Sequence, residues 1–289
     1  MKTVVITGSS SGFGLKAAKD FSDKGYKVYA TMRNPDGKNA EQRSDLEGHS
    51  TNIKVVDLDV TDDTSVKNAM EGIVSEAGTI DILINNAGIM YLGITEAFSV
   101  NQARQQMEVN YYGAIRTMQA VLPAMRKAGS GLIINTSSLV GRISPPFFST
   151  YTATKHALEG YVQGLRYEVS PFGVDVVVVE PGPFGTGLLA SGQAPEHTDL
   201  LETYGELANV PAAMAESFSQ LLQSDDAPDP QWVVDAYLKL AEMPAGKRPT
   251  RTVVGISWGV DEMNALTQPI QDKVLKEMQL DSVLGGVSA

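Results

Sequence analysis

The chain contains no cysteine. That absence removes disulfides, thiolate nucleophiles and zinc–sulfur centres together. Histidine is nearly as scarce: His49, His156 and His197 stand at no spacing that a metal site uses. Basic residues are in deficit, 23 against 34 acidic ones, which leaves a formal net charge of −11. Such a balance suits neither nucleic acid nor an anionic membrane as partner. No apolar run reaches the ~20 residues that span a bilayer. The N-terminus enters Lys2-Thr3-Val4-Val5-Ile6 and then glycine too quickly for a signal peptide. Repeats and low-complexity tracts are missing as well. The expectation is a cytoplasmic, metal-free protein without membrane insertion. With 289 residues, 43% of them hydrophobic, it can bury a substantial core.

What is present begins with a β-branched run, Val4-Val5-Ile6, of the kind found in strands buried on both faces. It leads into Thr7-Gly8-Ser9-Ser10-Ser11-Gly12-Phe13-Gly14. Leu15, Ala18 and Phe21 follow at helical spacing, with Gly25 as a stop. Strand, glycine-rich loop and helix together make a phosphate cradle. Glycine lets the backbone approach the pyrophosphate, and the helix N-terminus offers free N–H groups and a positive dipole end. The spacing is G-x-x-x-G-x-G rather than G-x-G-x-x-G. A second strand at 27–31 is followed by Met32, Arg33 and Asn34. A site for NAD places an acid here, on the ribose 2′-hydroxyl. No carboxylate appears before Asp36, and Arg33 suits a 2′-phosphate. NADP(H) is therefore preferred; NAD(H) remains the alternative if Arg33 is only a solvated surface charge.

A third strand at 52–60 brings Asp59 towards an adenine and Thr61 to the cap of the next helix. That helix carries Val66, Met70, Ile73 and Val74 and ends near Gly78. A fourth strand at 80–84 runs into Asn85-Asn86-Ala87-Gly88. Strands alternating with helices mean a doubly wound parallel sheet with right-handed crossovers, whose ligands sit at the strand C-termini. A fifth strand delivers Ser137 and Ser138. Tyr151 and Lys155 lie four apart, on one face of a helix. A neighbouring cation favours the phenolate; a fall of three pH units needs about 4 kcal/mol, which the lysine together with the positive ring of an oxidised nicotinamide would supply.

Thr7-Gly8-x-x-x-Gly12-x-Gly14, Asn85-Asn86-Ala87-Gly88, Asn110, Ser138, Tyr151-x-x-x-Lys155 and Pro181-Gly182 stand in this order. In that order the chain resembles the short-chain dehydrogenases/reductases, closely over roughly the first 190 residues and more loosely beyond. The expected fold is α/β: a doubly wound parallel seven-stranded sheet flanked by helices, Rossmann-like, in three layers. Residues 1–289 would form one such domain, with a substrate-lid insertion at about 188–229. The resemblance implies an NADP(H)-dependent oxidoreductase that interconverts a carbonyl and an alcohol. Tyr151 would be general acid/base, Ser138 the donor to the carbonyl oxygen, and Lys155 the group that lowers the tyrosine pKa and binds the ribose. Asn110, within a long helix at 100–125, would hold a water linking the lysine to solvent. Ser138 is chosen over Ser137 because the family's serine stands thirteen residues before the tyrosine.

The same resemblance implies cofactor contacts from Gly8, Ser10, Ser11, Gly12, Phe13 and Gly14 at the pyrophosphate. Arg33, Asp59, Val60, Asn86, Ala87 and Gly88 would serve the adenosine and ribose. Tyr151 and Lys155 would sit beside the nicotinamide, with Pro181, Gly182, Phe184 and Thr186 as its carboxamide turn. Two residues depart from the family's habit: Phe13 where isoleucine is usual, and Ser11 where NADP-preferring relatives often carry a base. The helices at 100–125 and 152–170 form the family's usual association face, which implies a homodimer or homotetramer.

Two other readings fit less of the chain. A nucleotide-sugar epimerase shares the tyrosine–lysine pair but usually has a longer C-terminal substrate domain. A nucleotide-sensing regulator has no use for the complete Asn110–Ser138–Tyr151–Lys155 set. In the last third, a helix at 210–223 presents Met214, Phe218, Leu221 and Leu222 on one face. A break at 224–230, a helix at 230–243, a strand at 252–255 and a helix at 269–280 follow. Met90, Phe147, Phe148 and Leu189 add apolar character near the cleft. The substrate expected is a small apolar molecule, such as a steroid-, retinoid- or aryl-ketone-like one. Pro249-x-Arg251 resembles members of the family that act on such ketones.

Overall fold

The computed structural model describes residues 1–224 and 226–280; Asp225, inside the expected break, lies outside them. Seven parallel strands form one sheet: β1 (Thr3–Ile6), β2 (Lys27–Met32), β3 (Ile53–Asp57), β4 (Ile82–Asn85), β5 (Gly131–Thr136), β6 (Val174–Pro181) and β7 (Arg251–Val254). Their order is β3-β2-β1-β4-β5-β6-β7, so the chain reverses direction across the sheet between β1 and β4. A cleft at the carboxyl ends of the strands is the physical consequence of that reversal, because the connections leave to opposite sides there.

Side chains alternate along each strand and feed two separate cores. Val4 and Ile6 pack with Val28, Phe21 and Tyr237 on one face. Val5 packs with Tyr29, Leu83, Ile133 and Val162 on the other. The first face is covered by α1 (Gly12–Asp23), α2 (Ala40–His49) and α9 (Gln231–Glu242). The second is covered by α3 (Asp63–Ala77), α5 (Gly113–Ala128) and α6 (Ser149–Val169). Both faces being dry explains the unbroken apolar strands in the sequence. The three-layer α/β/α arrangement is as expected.

Four local expectations are corrected. Thr61 does not cap α3; Asp62 does, its carboxylate accepting the Ser65 N–H at 2.7 Å. Thr61 instead spends its hydroxyl on Asp59, at 2.7 Å. The helix at 100–125 is not one regular α-helix. It runs as α4 (Val100–Met107), a π-turn at Glu108–Tyr112, and α5. The wide turn is centred on Asn110, and such bulges recur at functional sites. The last helix, α10 (Val260–Glu277), starts nine residues earlier than 269, with Pro269 inside it. Gly259 at φ +81 turns the chain into it, and Asp261 and Glu262 oppose the dipole in its first turn. Finally, α7 (Thr198–Thr203) and α8 (Val210–Leu221) occupy the segment between β6 and α9. α8 ends short of 223.

Candidate active site

One cavity of about 570 Å³ runs along the carboxyl ends of the strands. Its floor at one end is the loop between β1 and α1. Gly8 has φ +67, and a Cβ on it would lie 2.8 Å from the Ala87 Cα. A Cβ on Gly14 would lie 2.4 Å from the Gly8 carbonyl oxygen and 2.6 Å from Asn86 Nδ2. Both positions exclude a side chain because backbone stands where it would go. Asn86 locks the loop from the next strand: Nδ2 donates to the carbonyls of Thr7 and Gly8 at 3.0 and 3.1 Å. The Thr7 hydroxyl accepts the N–H of Asn86 and of Ala87 at 3.0 and 3.1 Å. Gly8, Ser10, Ser11, Gly12 and Phe13 line the cavity, whereas Gly14 sits behind its wall. The result is a glycine floor running into the N-terminus of α1, the geometry that a pyrophosphate requires.

Beyond the loop, the wall is formed by Arg33, Asp59, Val60, Ala87 and Gly88. The Arg33 side chain is 58% exposed, its nearest carboxylate oxygen on Asp59 at 4.0 Å. Asp59 is held by Thr61, whose N–H and hydroxyl both donate to Oδ1. Lys38 and Asn39 join this wall too, and neither was read from the sequence. Asn39 is buried and donates to the Arg33 carbonyl, so the turn after β2 folds back and returns a second cation to the cavity. The only sequence signal was a lysine five residues past Arg33 in a Pro/Gly turn.

The middle of the cavity holds Ser138, Tyr151 and Lys155. β5 delivers the serine, and α6 carries the other two one turn apart. The Ser138 hydroxyl accepts the Val140 N–H at 3.4 Å and lines the same stretch of cavity as the Tyr151 phenol. Ser137 lines the cavity too, but its hydroxyl is buried beside Gly141 and makes no hydrogen bond. Lys155 Nζ donates to the Thr136 carbonyl at 2.8 Å and lies 5.6 Å from the centre of the Tyr151 ring. The phenol of this chain is held above its ordinary value, because burial disfavours its anion more than the Ser138 hydroxyl favours it. Burial also pushes the Lys155 ammonium down, to about 8. His156, by contrast, points away and meets the Thr152 carbonyl at 3.1 Å.

Asn110 is buried but does not line the large cavity. Its Oδ1 accepts the Ile89 N–H at 2.9 Å. Its Nδ2 donates to the Ile89 carbonyl and the Thr154 hydroxyl at 2.8 and 3.0 Å. It also borders a second cavity of about 10 Å³, bounded by Thr7, Ala87 and Thr136 among others. Pro181, Gly182, Phe184 and Thr186 line the large cavity where the chain leaves β6. Thr186 crosses towards the glycine loop, since a Cβ on Gly12 would meet its Cβ at 3.3 Å.

The far end is apolar. Met90, Val140, Phe148 and Tyr151 form a buried cluster, with Leu188, Leu189, Met214 and Phe218 packed on it. Phe147, expected beside Phe148, does not line the cavity. Its backbone sits at φ +69 and its carbonyl takes the Gly93 N–H at 3.0 Å. Leu222 lines the cavity and Leu221 does not. The half-exposed Trp258, at φ 47, also reaches the rim, and nothing in its sequence context signalled that. The segment after β6 is pinned by α4: Gln102 Nε2 donates to the Ala194 carbonyl at 2.8 Å and Oε1 accepts the Glu196 N–H at 3.1 Å. Among the described residues there is no cluster of metal-ligating side chains, and no helix is long and apolar enough to cross a membrane.

A family model described as short chain dehydrogenase matches residues 2–197. A 3-ketodihydrosphingosine reductase of Bacteroides thetaiotaomicron is 40% identical over 203 residues, which are 70% of this chain and 71% of that one. A crystal structure of a short-chain dehydrogenase from Streptomyces avermitilis matches with TM-score 0.78 and 30% identity, covering 98% of both chains. The structure of ElxO with NADP bound matches with TM-score 0.72 and 26% identity, over 90% of this chain and 99% of that one.

Proposed function

The chain belongs to the short-chain dehydrogenase family, oxidoreductases that act on CH–OH groups with NAD(P), and on that premise we propose that it is an NADP(H)-dependent reductase of an apolar ketone or aldehyde. The observation that carries this reading is the meeting of Ser138, Tyr151 and Lys155 in one cavity, set between a glycine cradle and an apolar wall. A reduced nicotinamide, when bound, supplies the hydride. Everything else falls to the chain's own residues. Tyr151 gives its proton to the carbonyl oxygen as the carbon is reduced. Ser138 donates a hydrogen bond to that same oxygen as charge develops on it. Lys155 stabilises the phenolate left behind and would hold the ribose of the bound cofactor. Asn110 and the small cavity beside it, bounded also by Thr136, suit a one-water relay that reloads the proton. The Tyr151 phenol, its pKa raised by burial, is protonated at neutral pH, as a proton donor must be.

Arg33 and Lys38 on one stretch of wall support a 2′-phosphate, hence NADP(H) over NAD(H). Phe184 and Thr186 would hold the carboxamide. Met90, Phe148, Leu189, Met214 and Phe218 give the substrate end no charge to recognise, which supports a steroid-, retinoid- or aryl-ketone-like molecule. The relative named for reducing 3-ketodihydrosphingosine also has a ketone in its name. Residues 188–229 act as a lid within one Rossmann-like domain of 289 residues. Val100 and Tyr112, both exposed, suit association as a homodimer or homotetramer through the helices at 100–125 and 152–170. Lack of cysteine suits the cytoplasm.

The test is a panel of apolar and charged ketones, aldehydes and alcohols assayed with NADPH and NADH. NADPH should be consumed in the presence of apolar carbonyls, faster than NADH. No carbonyl-dependent consumption, or a preference for NADH, would count against the reading.

A further inference from the structure

Tyr151, Lys155 and Glu159 stand at successive turns of α6, so one helix face carries phenol, ammonium and carboxylate in line. Glu159 has no part in the chemistry above, yet it is only 3% exposed. Its Oε2 accepts from Arg251 Nε at 2.9 Å. Arg251 is the residue whose sequence context hinted at substrate, but its side chain is enclosed behind the cleft. It lies 3.8 Å from Glu180 Oε1 and gives another N–H to Gln163 at 3.1 Å. Glu180 stands on β6 just before the Pro181-Gly182 turn, fully buried, and accepts from Asn264 of α10 at 2.6 Å. Asn264 is fixed in turn by Arg142, at 2.9 Å.

Two carboxyls thus share one enclosed guanidinium, and Arg142 reaches them only through Asn264. With both ionised and Lys155 neutral, a net negative charge would sit where water cannot solvate it. Glu159 Oε1, Glu180 Oε1 and the Ser137 hydroxyl are each buried without a hydrogen bond. Ser137 Oγ and Glu159 Oε1 flank the same glycine, 2.6 and 3.3 Å from where a Gly141 Cβ would stand. Burial and the charge on Glu159 push Glu180 up to about 8, so the cluster keeps one proton near neutrality. Burial pushes Lys155 down, and Glu159 is the charge that pulls it back.

We propose that Glu159, seated by Arg251 and Glu180, is a positioning residue that keeps the Lys155 ammonium charged beside Tyr151. This rests on the role given to Lys155 above. The groups facing Lys155 are Tyr151 and Glu159 on its own helix and the Thr136 carbonyl on β5. Those facing Glu159 are Lys155, Arg251 of β7, Glu180 of β6 and, through Asn264, Arg142. As pH rises through about 8, Glu180 releases its proton and the cluster turns anionic. That charge resists loss of the lysine proton over the same interval.

The test pairs the pH profile of NADPH-dependent reduction with the NMR titration of 13C-labelled Lys155. Glu159→Gln should lower the Lys155 midpoint and the alkaline limb together, by between about one and three pH units. Glu159→Asp should restore part of the shift. Glu180→Gln, which cannot form the anion, should move both in the same direction by less, and it carries the test if Glu159→Gln does not fold. A Lys155 midpoint unmoved in these variants, or a loss of rate that is uniform across pH, would overturn the proposal. An alkaline limb that survives Lys155→Ala would instead sink the assignment of the lysine, while the NMR midpoint still judges Glu159 separately.

Discussion

The two ends of the cleft are built on different principles. At the phosphate end one continuous stretch, β1 through α1, supplies the floor, and Asn86 clamps it through main-chain atoms. Clearances there are set by backbone against backbone, as Gly8 and Gly14 show. At the substrate end, side chains from four separated segments meet: Met90, Phe148, the Leu188–Leu189 stretch, and Met214 and Phe218 on α8. Several of these are only partly buried, and flexible methionine and leucine side chains can repack. The first end is therefore fixed and unforgiving, and the second is adjustable. A fold divided in this way can hold one cofactor while its substrate changes.

Four substitutions would break or sharpen that contrast. The largest effect is expected from Gly14→Val. Its side chain meets the Gly8 carbonyl and the Asn86 amide, and overpacking costs about 1–3 kcal/mol. NADPH affinity measured by fluorescence should fall on the order of tenfold to a hundredfold. If it does not, the phosphate end is as adjustable as the other. Phe218→Ala should raise KM for apolar ketones roughly tenfold, through about 1–2 kcal/mol of lost apolar burial, and leave NADPH affinity alone. Equal losses for charged and apolar substrates would argue that Phe218 only packs. Arg33→Asp should shift the NADPH-to-NADH ratio of kcat/KM by about fivefold, a modest change because the side chain is more than half exposed. Phe13→Ile should do least. It removes an edge-to-face contact with Phe184, whose ring centre is 5.6 Å away. The cost is about 1 kcal/mol, a fall in Tm of roughly 2 °C by calorimetry, with cofactor affinity kept.

Legibility in the sequence follows the same division. The glycine loop, the strands and the Tyr151–Lys155 pair are local patterns, so spacing alone exposes them. Ser138 was separable from Ser137 only by resemblance; in three dimensions both line the cavity, and the Ser137 hydroxyl is the one buried without a hydrogen bond. Lys38 and Trp258 reach the cavity through turns whose direction depends on tertiary contacts, and no periodicity reports that. Thr61 and Asp62 are both good caps, and a hydrogen bond from Thr61 to Asp59 decides between them. Pro269 looked like a helix start, but the preceding turns from Gly259 already suffice to begin α10. A cation's pull on the phenol is visible in a motif, whereas the desolvation that raises its pKa depends on what closes around the side chain.

The central claim is that the Tyr151 phenol supplies the proton in a site that grips NADP(H) independently of it. Single-turnover kinetics of Tyr151→Phe with NADPH and an apolar ketone, alongside NADPH binding to the same preparation, address it most directly. The account predicts a fall in the reduction rate of about 10²–10⁴ with NADPH affinity within a few-fold of the unaltered protein. A rate within a few-fold of the original, with the cofactor still bound, would contradict it.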